Sequence, residues 1–342
     1  VMPSRLSILT KRLNNDRGVC FYCRQCARSC MAYADFSSGS CLIFPAQKSG
    51  GQIDMFVNAM VRTVTTNLEG KATGVSYIDK TDKIEYKLKG KVVVLAASAC
   101  SSARILLNSK SKQHPNGLGN SSDVVGKYLH DSTGGGRMAF IPDLIDRKIY
   151  NEDGVGGMHV YSPWWLDNKK LNFPRGYHIE VWGGMGAPSY GTGFNVNAFN
   201  KFFGLPIGGY GNVLRKDMRK YYGSIIGMDG RGESVAMKTN YCEIDPNQTD
   251  EFGVPTLRFN YKWSEHEVNQ AEHMQNTFEE VIHNMGAIAL GDKPEKNSNF
   301  GLTKPGEIIH EVGTTRMGSD PKSSVVNEFE QLHDVSNVFV VD

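Results

Sequence analysis

The chain reads as an α/β protein, α+β overall, on three observations. From Lys91 to Ser109 an apolar strand runs into a small-residue turn and then an amphipathic helix, the local pattern of a nucleotide-binding sheet. From Tyr177 to Trp182 apolar and polar residues alternate, as in an antiparallel strand with one covered face. From Ser264 to Gly286 the apolar residues recur at helical spacing.

The elements follow in order. Asn58 to Val61 and Gly74 to Tyr77 form a strand pair around Gly70, and Lys80 to Lys91 is a solvated edge, as is the Lys110 to Lys112 loop. Val92 to Leu95 form an unbroken apolar run, expected of a parallel strand covered on both faces. Ala96 to Ala99 are small enough to let the backbone approach a ligand, and Arg104 to Leu107 continue as helix. Between Gly134 and Asn240 short aromatic-rich strands alternate with glycine turns. Asn240 to Asp245 and Pro255 to Asn260 are two further strands joined by the turn residues Asp250 to Pro255. Ser264 serves as N-cap with Glu267 three residues on, and the helix buries Val268, Ala271, Met274, Phe278 and Val281 before stopping near Gly286. A short apolar strand, Asn337 to Asp342, returns to the first sheet.

Composition narrows the function. A chain of 342 residues with 40% apolar content suits two interleaved domains with sizeable cores. A net charge of +2 without a clustered basic face argues against nucleic acid, and no apolar run approaches the ~20 residues that span a bilayer. No Gly-x-Gly-x-x-Gly stands between a strand and a helix. The glycines at 183–186 and 208–211 follow no apolar strand and read as loops.

The most chemically pointed stretch is His310 to Gly318, where a histidine precedes a Gly-Thr turn. Imidazole titrates near neutral pH, so His310 can accept a proton. The other histidines have simpler readings. His266, His273 and His283 are packed or solvated helix residues, and His114 and His333 are surface loop residues. His159 and His178 lie on strands that can reach a substrate. Tyr161, Trp164, Trp165, Tyr177 and Trp182 either stack on a sugar ring or pack the sheet. Arg316 reads as a salt-bridge anchor for Asp320, and Cys41, Cys100 and Cys242 as small core residues.

Taken together, His-x-x-Gly-Thr-x-x-Met-Gly at 310–318 followed by Asn-Val-Phe-Val-Val-Asp at 337–342 resembles the C-terminal signature of the glucose–methanol–choline (GMC) family of flavin-dependent oxidoreductases. The segments 58–77, 91–109 and 123–131 resemble that family too, in the right order. The resemblance implies part of an FAD-binding Rossmann-like domain at residues 1–130, a substrate domain with a mostly antiparallel sheet covered by helices at 131–300, and a return to the FAD domain at 301–342. It implies FAD near Val61, Ala96, Ala97, Ser98 and Asp342, and His310 as the base in oxidation of a CH–OH group of an alcohol, sugar or polyol. A second catalytic His or Asn, the glycine fingerprint and any leader would lie outside this chain, which on that comparison is an internal portion of a longer polypeptide. The rivals are an oxygen-using oxidase or a lyase of the same family, and a truncated, non-catalytic remnant.

Four of seven cysteines, Cys20, Cys23, Cys26 and Cys30, fall in eleven residues with C-x2-C-x2-C-x3-C spacing, that of a bacterial ferredoxin loop. Met31 replaces the usual proline, and there is no second cysteine run. Arg17, Arg24 and Arg28 stand in the same stretch and would offset a cluster's negative charge. Zinc, disulfides and a plain structural loop are the competing readings. The family branch resembling gluconate, glucose and fructose dehydrogenase large subunits carries an iron–sulfur cluster in such a loop and passes electrons to a cytochrome. By the same resemblance the bacterial periplasm is the favoured compartment, with the cytoplasm as the alternative.

Overall fold

The computed structural model describes residues 1–3, 6–13, 16–22, 26, 29–147, 159–163, 169–183, 188–189, 194–195, 200, 210–221 and 223–342. The chain divides into two compact units. One comprises Val1–Asp54, Thr133–Glu233 and Glu265–Thr303; the other comprises Met55–Ser132, Ser234–Ser264 and Lys304–Asp342. Two of these crossings fall near the boundaries read from sequence at 130 and 300. Residues 1–54 group with the first unit, and the hairpin within Ser234–Ser264 groups with the second.

The second unit holds the nucleotide-type sheet. Strands Ala59–Thr66, Ala72–Asp79 and Glu85–Lys89 form an antiparallel meander whose outer strand is exposed along its length, the solvated lysine edge read from sequence. Strand Val93–Leu95 pairs in parallel with Val338–Val340. Asn337 fastens this pair to the meander: its amide donates to the carbonyls of Ala72 (2.8 Å) and Lys91 (2.9 Å), and its oxygen accepts from Ala72 N–H (3.1 Å). Helix Ala99–Asn108 buries Ala103 and Leu106 against Val93, Leu95, Leu118 and Val338.

The expectation that both faces of the apolar strand are covered is corrected. Val93 and Leu95 are buried, but Val92 and Val94 are 55% and 56% exposed, and among the described residues nothing covers that face. An unbroken apolar run records the side chains, whereas the period of two decides which of them meet the core.

A second sheet in this unit runs, antiparallel throughout, in the order Pro255–Asn260, Tyr241–Thr249, Lys127–His130, Val312–Thr314. The turn chemistry at 250–255 is realised: Asp250 Oδ1 accepts from the N–H groups of Phe252 (2.9 Å) and Val254 (3.0 Å). Arg104, on the helix, donates to the carbonyls of Pro255 (2.7 Å) and Val254 (2.8 Å) and to Asp250 Oδ2 (2.8 Å).

The first unit contains a six-stranded antiparallel sheet, ordered Met2–Pro3, Val160–Pro163, Tyr177–Gly183, Ile225–Gly232, Thr133–Phe140, Ile288–Leu290. Helix Glu265–Asn284 packs on one face, placing Met274 and Phe278 among Tyr177, Ile179 and Met228. It begins directly after Ser264, and Gly286 takes a positive φ just beyond it, as the sequence predicts. Its buried stripe also holds the polar Glu267, Gln270 and Gln275. Glycines make room for this, since a side chain at Gly230 or Gly232 would meet Met274 or Gln270. Tyr177 is packing rather than platform: its hydroxyl meets His273 Nδ1 at 2.6 Å, and burial pushes the phenol up to about 12. Burial likewise holds the His273 imidazole below its ordinary value. No described helix is long and apolar enough to cross a membrane.

The Arg104 anchor is testable. Burial would raise the Asp250 carboxyl, but the Arg104 guanidinium and the turn's N–H groups outweigh it and hold it low. Arg104→Ala is expected to destabilise the fold by about 1–3 kcal/mol in urea unfolding at pH 7. Because Asp250 is depressed, the contribution is full above the unfolded value of about 4 and fades as pH falls below it. An equal loss at pH 3 and pH 7 would show that the ion pair contributes nothing.

Candidate active site

His310 stands on a turn whose geometry is enforced from three sides. The strand after it, Val312–Thr314, pairs with Lys127–His130, Val312 opposite His130 and Thr314 opposite Lys127. Gly313 lies at φ +94°, where a Cβ would collide with the Tyr128 carbonyl oxygen, so only glycine allows the two strands this approach. Ile309 and Thr314, both β-branched, are held at φ +60° and +49°. Such residues rarely accept positive φ, and strain of this kind persists only where the surroundings over-determine it.

The restraints are visible. Gly126 N–H donates to the Thr314 carbonyl (2.7 Å), and Thr314 Oγ1 donates to the Ala99 carbonyl (2.7 Å). Asp131 Oδ1 accepts the backbone N–H of His310 (3.0 Å) and that of Ser132 (2.7 Å). The His310 residue itself is exposed. Arg316 is not an anchor for Asp320, as read from sequence; its guanidinium lies 4.5 Å from the ring centre of Tyr128.

Ala96, Ala97 and Ser98 are exposed at the carboxyl ends of the parallel pair, where open α/β sheets bind ligands. Ser98, at φ +75° and ψ 155°, forms the sharp bend into helix Ala99–Asn108 and makes no side-chain capping bond. Asp342 reaches this bend: its Oδ2 accepts from Ala97 N–H (3.2 Å) and from Ser102 Oγ. Val341 N–H donates to the Leu95 carbonyl (2.9 Å), continuing the pairing of the two strand ends. Small side chains, an open bend and a carboxylate suited to hydroxyl groups fit a dinucleotide. Val61 is half-buried and packs against the core that Val93 and Leu95 share.

The structure therefore joins Asp342 to the Ala96–Ser98 bend, and joins Thr314, at the end of the strand that follows His310, to Ala99. The sequence reading missed Asp131, whose partner is 179 residues away, and Ser102, hidden in a run of serines. It also missed a thiol contact. Cys100 and Cys242 lie close enough to interact, which lowers the Cys100 thiol and, with burial, raises that of Cys242. His114 and His333, read as surface residues, are half-buried and bonded, to the Gly70 carbonyl (3.1 Å) and to Ser324 Oγ (2.9 Å) respectively.

In the first unit, Glu180 Oε1 lies 3.1 Å from His178 Nε2 and 3.7 Å from His159 Nε2, and Trp182 is 37% exposed with its N–H on Asp229 (2.6 Å). Trp164, Trp165, Cys23 and most of the two glycine loops lie outside the described residues. Cys20, Cys26 and Cys30 are described, and no three His, Cys, Asp or Glu side chains among the described residues are grouped to hold a metal ion.

Two family models match the chain, both described as GMC oxidoreductase: the N-terminal one over residues 5–133 and the C-terminal one over residues 238–342. The chain belongs to the GMC oxidoreductase family. Members of this family bind FAD. Similar proteins include 2-methyl-1,2-propanediol dehydrogenase of Mycolicibacterium austroafricanum, 29% identical over 84% of this chain and 49% of that protein. The gluconate 2-dehydrogenase flavoprotein of Pantoea cypripedii is 27% identical over 97% and 52%. The fructose dehydrogenase large subunit of Gluconobacter japonicus is 25% identical over 86% and 49%. The chain thus spans about half the length of the curated relatives it matches.

If Gly313 is what lets the His310 strand approach Tyr128, Gly313→Ala will lower stability by more than about 1 kcal/mol, through both strain and the clash. Thermal melting of the purified variant measures this. A wild-type melting temperature would remove Gly313 from the account.

Proposed function

We propose that the protein to which this chain belongs oxidises a CH–OH group of an alcohol, sugar or polyol, with FAD as cofactor and His310 as proton acceptor. The bond from Thr314 Oγ1 to the Ala99 carbonyl carries the reading, because it ties the His310 turn to the helix that opens at the Ala96–Ser98 bend. FAD, when bound, supplies the hydride acceptor. His310 takes the substrate's hydroxyl proton on an imidazole nitrogen, which makes the carbinol carbon electron-rich enough to release hydride.

The remaining residues hold and orient. The exposed backbone of Ala96, Ala97 and Ser98 can lie against the dinucleotide without side-chain interference. Asp342, a carboxylate, suits ribitol or ribose hydroxyls and would repel a pyrophosphate brought onto it. Val61 borders the adenine end in this reading. Relatives named as dehydrogenases, one of them a large subunit, support a separate electron acceptor such as a cytochrome. The iron–sulfur reading of Cys20, Cys23, Cys26 and Cys30 is supported by spacing alone, and the iron and acid-labile sulfide content of the pure protein decides it.

Replacing His310 with Ala in the complete protein is expected to leave FAD content unchanged and slow anaerobic flavin reduction by about 10²- to 10⁴-fold. Reduction at the wild-type rate with a sugar or polyol that the wild type oxidises would remove His310 as the base. Asp342→Asn is expected to weaken FAD retention in equilibrium dialysis instead.

A further inference from the structure

Asp131 is 2% exposed, and its side chain is only half used. Oδ1 accepts two N–H groups, those of His310 and Ser132, whereas Oδ2 is buried and has no hydrogen-bond partner. A buried carboxylate oxygen without a partner is costly, and such atoms are rare enough to need a reason. The two N–H groups on Oδ1 hold the carboxylate, and the backbone of Asp131 is fixed as well. Its main-chain N–H donates to the Tyr261 hydroxyl (2.9 Å), and its carbonyl accepts from Ser234 Oγ (2.7 Å). Among the described residues no cation pairs with it.

We propose that Asp131 is a positioning residue for His310: once the exposed imidazole turns toward it, the free Oδ2 takes the Nδ1–H and leaves Nε2 as the proton acceptor. This rests on the reading of His310 as the base. The sister oxygen already holds the backbone N–H of the same histidine, and the N–H and Nδ1 of one histidine are separated by only three carbon atoms. One carboxylate can therefore bridge both. Two of the groups nearby are poor donors to it: Glu311 is a carboxylate, and the Cys100 thiol, close enough to feel the charges of Asp131, Glu311 and Asp342, has Cys242 beside it. A carboxylate on Nδ1 fixes the tautomer that presents a bare Nε2, and it stabilises the imidazolium formed when the substrate proton arrives.

Anaerobic flavin reduction in the complete protein and its variants, together with 15N-histidine NMR, tests this. Asp131→Asn keeps an oxygen for the His310 N–H but replaces the Nδ1 acceptor by a donor. FAD content and melting temperature should stay near wild type, kcat should fall by about 10²-fold or more, and KM should change little. Asp131→Glu, which keeps the charge, should recover part of the rate. In the wild-type spectrum His310, assigned by its absence in His310→Gln, should be the Nδ1–H tautomer, and in Asp131→Asn it should not. An Nε2–H tautomer in the wild type overturns the proposal without any variant needing to fold. A wild-type kcat in Asp131→Asn while His310→Ala is slow overturns it and spares the base reading. A fast His310→Ala overturns both.

Discussion

One buried carboxylate organises the candidate site. Asp131 links four segments of the second unit: through its side chain the His310 turn, through its N–H the Tyr261 loop, through its carbonyl the Ser234 segment, and through its own chain the Lys127–His130 strand. A charge taken out of water must be repaid by hydrogen bonds, and it repays only in one geometry. The bond of Asp131 to the His310 N–H, together with the bonds of Thr314 to Gly126 and Ala99, holds Ile309 and Thr314 at positive φ on either side of His310.

The second constraint is how closely the strand after His310 lies to its neighbour. Gly313 and Gly126 bring Thr314 within reach of both the Lys127–His130 edge and the Ala99 carbonyl. Through that carbonyl the His310 turn meets the helix beginning at Ala99, and through Asp342 the last residues of the chain meet the bend before it. The His310 turn and the Ala96–Ser98 bend are thus parts of one hydrogen-bonded set. Chemistry that splits a C–H and an O–H bond between two acceptors has that requirement.

Much of this was legible in sequence where the signal is local. The strand, bend and helix of 91–109, the Asp250–Pro255 turn and the helix closing at Gly286 each depend on residues within a few positions of one another, as does the His-x-x-Gly-Thr pattern that marks the His310 turn. What stayed hidden depends on distant pairs. Nothing near Asp131 announces His310, and nothing near Cys100 announces Cys242. The polar stripe Glu267, Gln270 and Gln275 becomes a packing surface only because glycines stand opposite it. Val94 misled for the opposite reason, since its apolar character is plain and its exposure depends on what covers it. The cysteine spacing at 20–30 gives ligand count without giving convergence.

The most direct test of the account is the visible absorption spectrum of the complete protein, recorded before and after anaerobic addition of D-glucose, D-fructose, D-gluconate or glycerol. The account predicts two flavin bands that bleach with at least one of these. A protein that stays colourless after incubation with FAD would contradict it and leave a fold that keeps the family's strands without its chemistry.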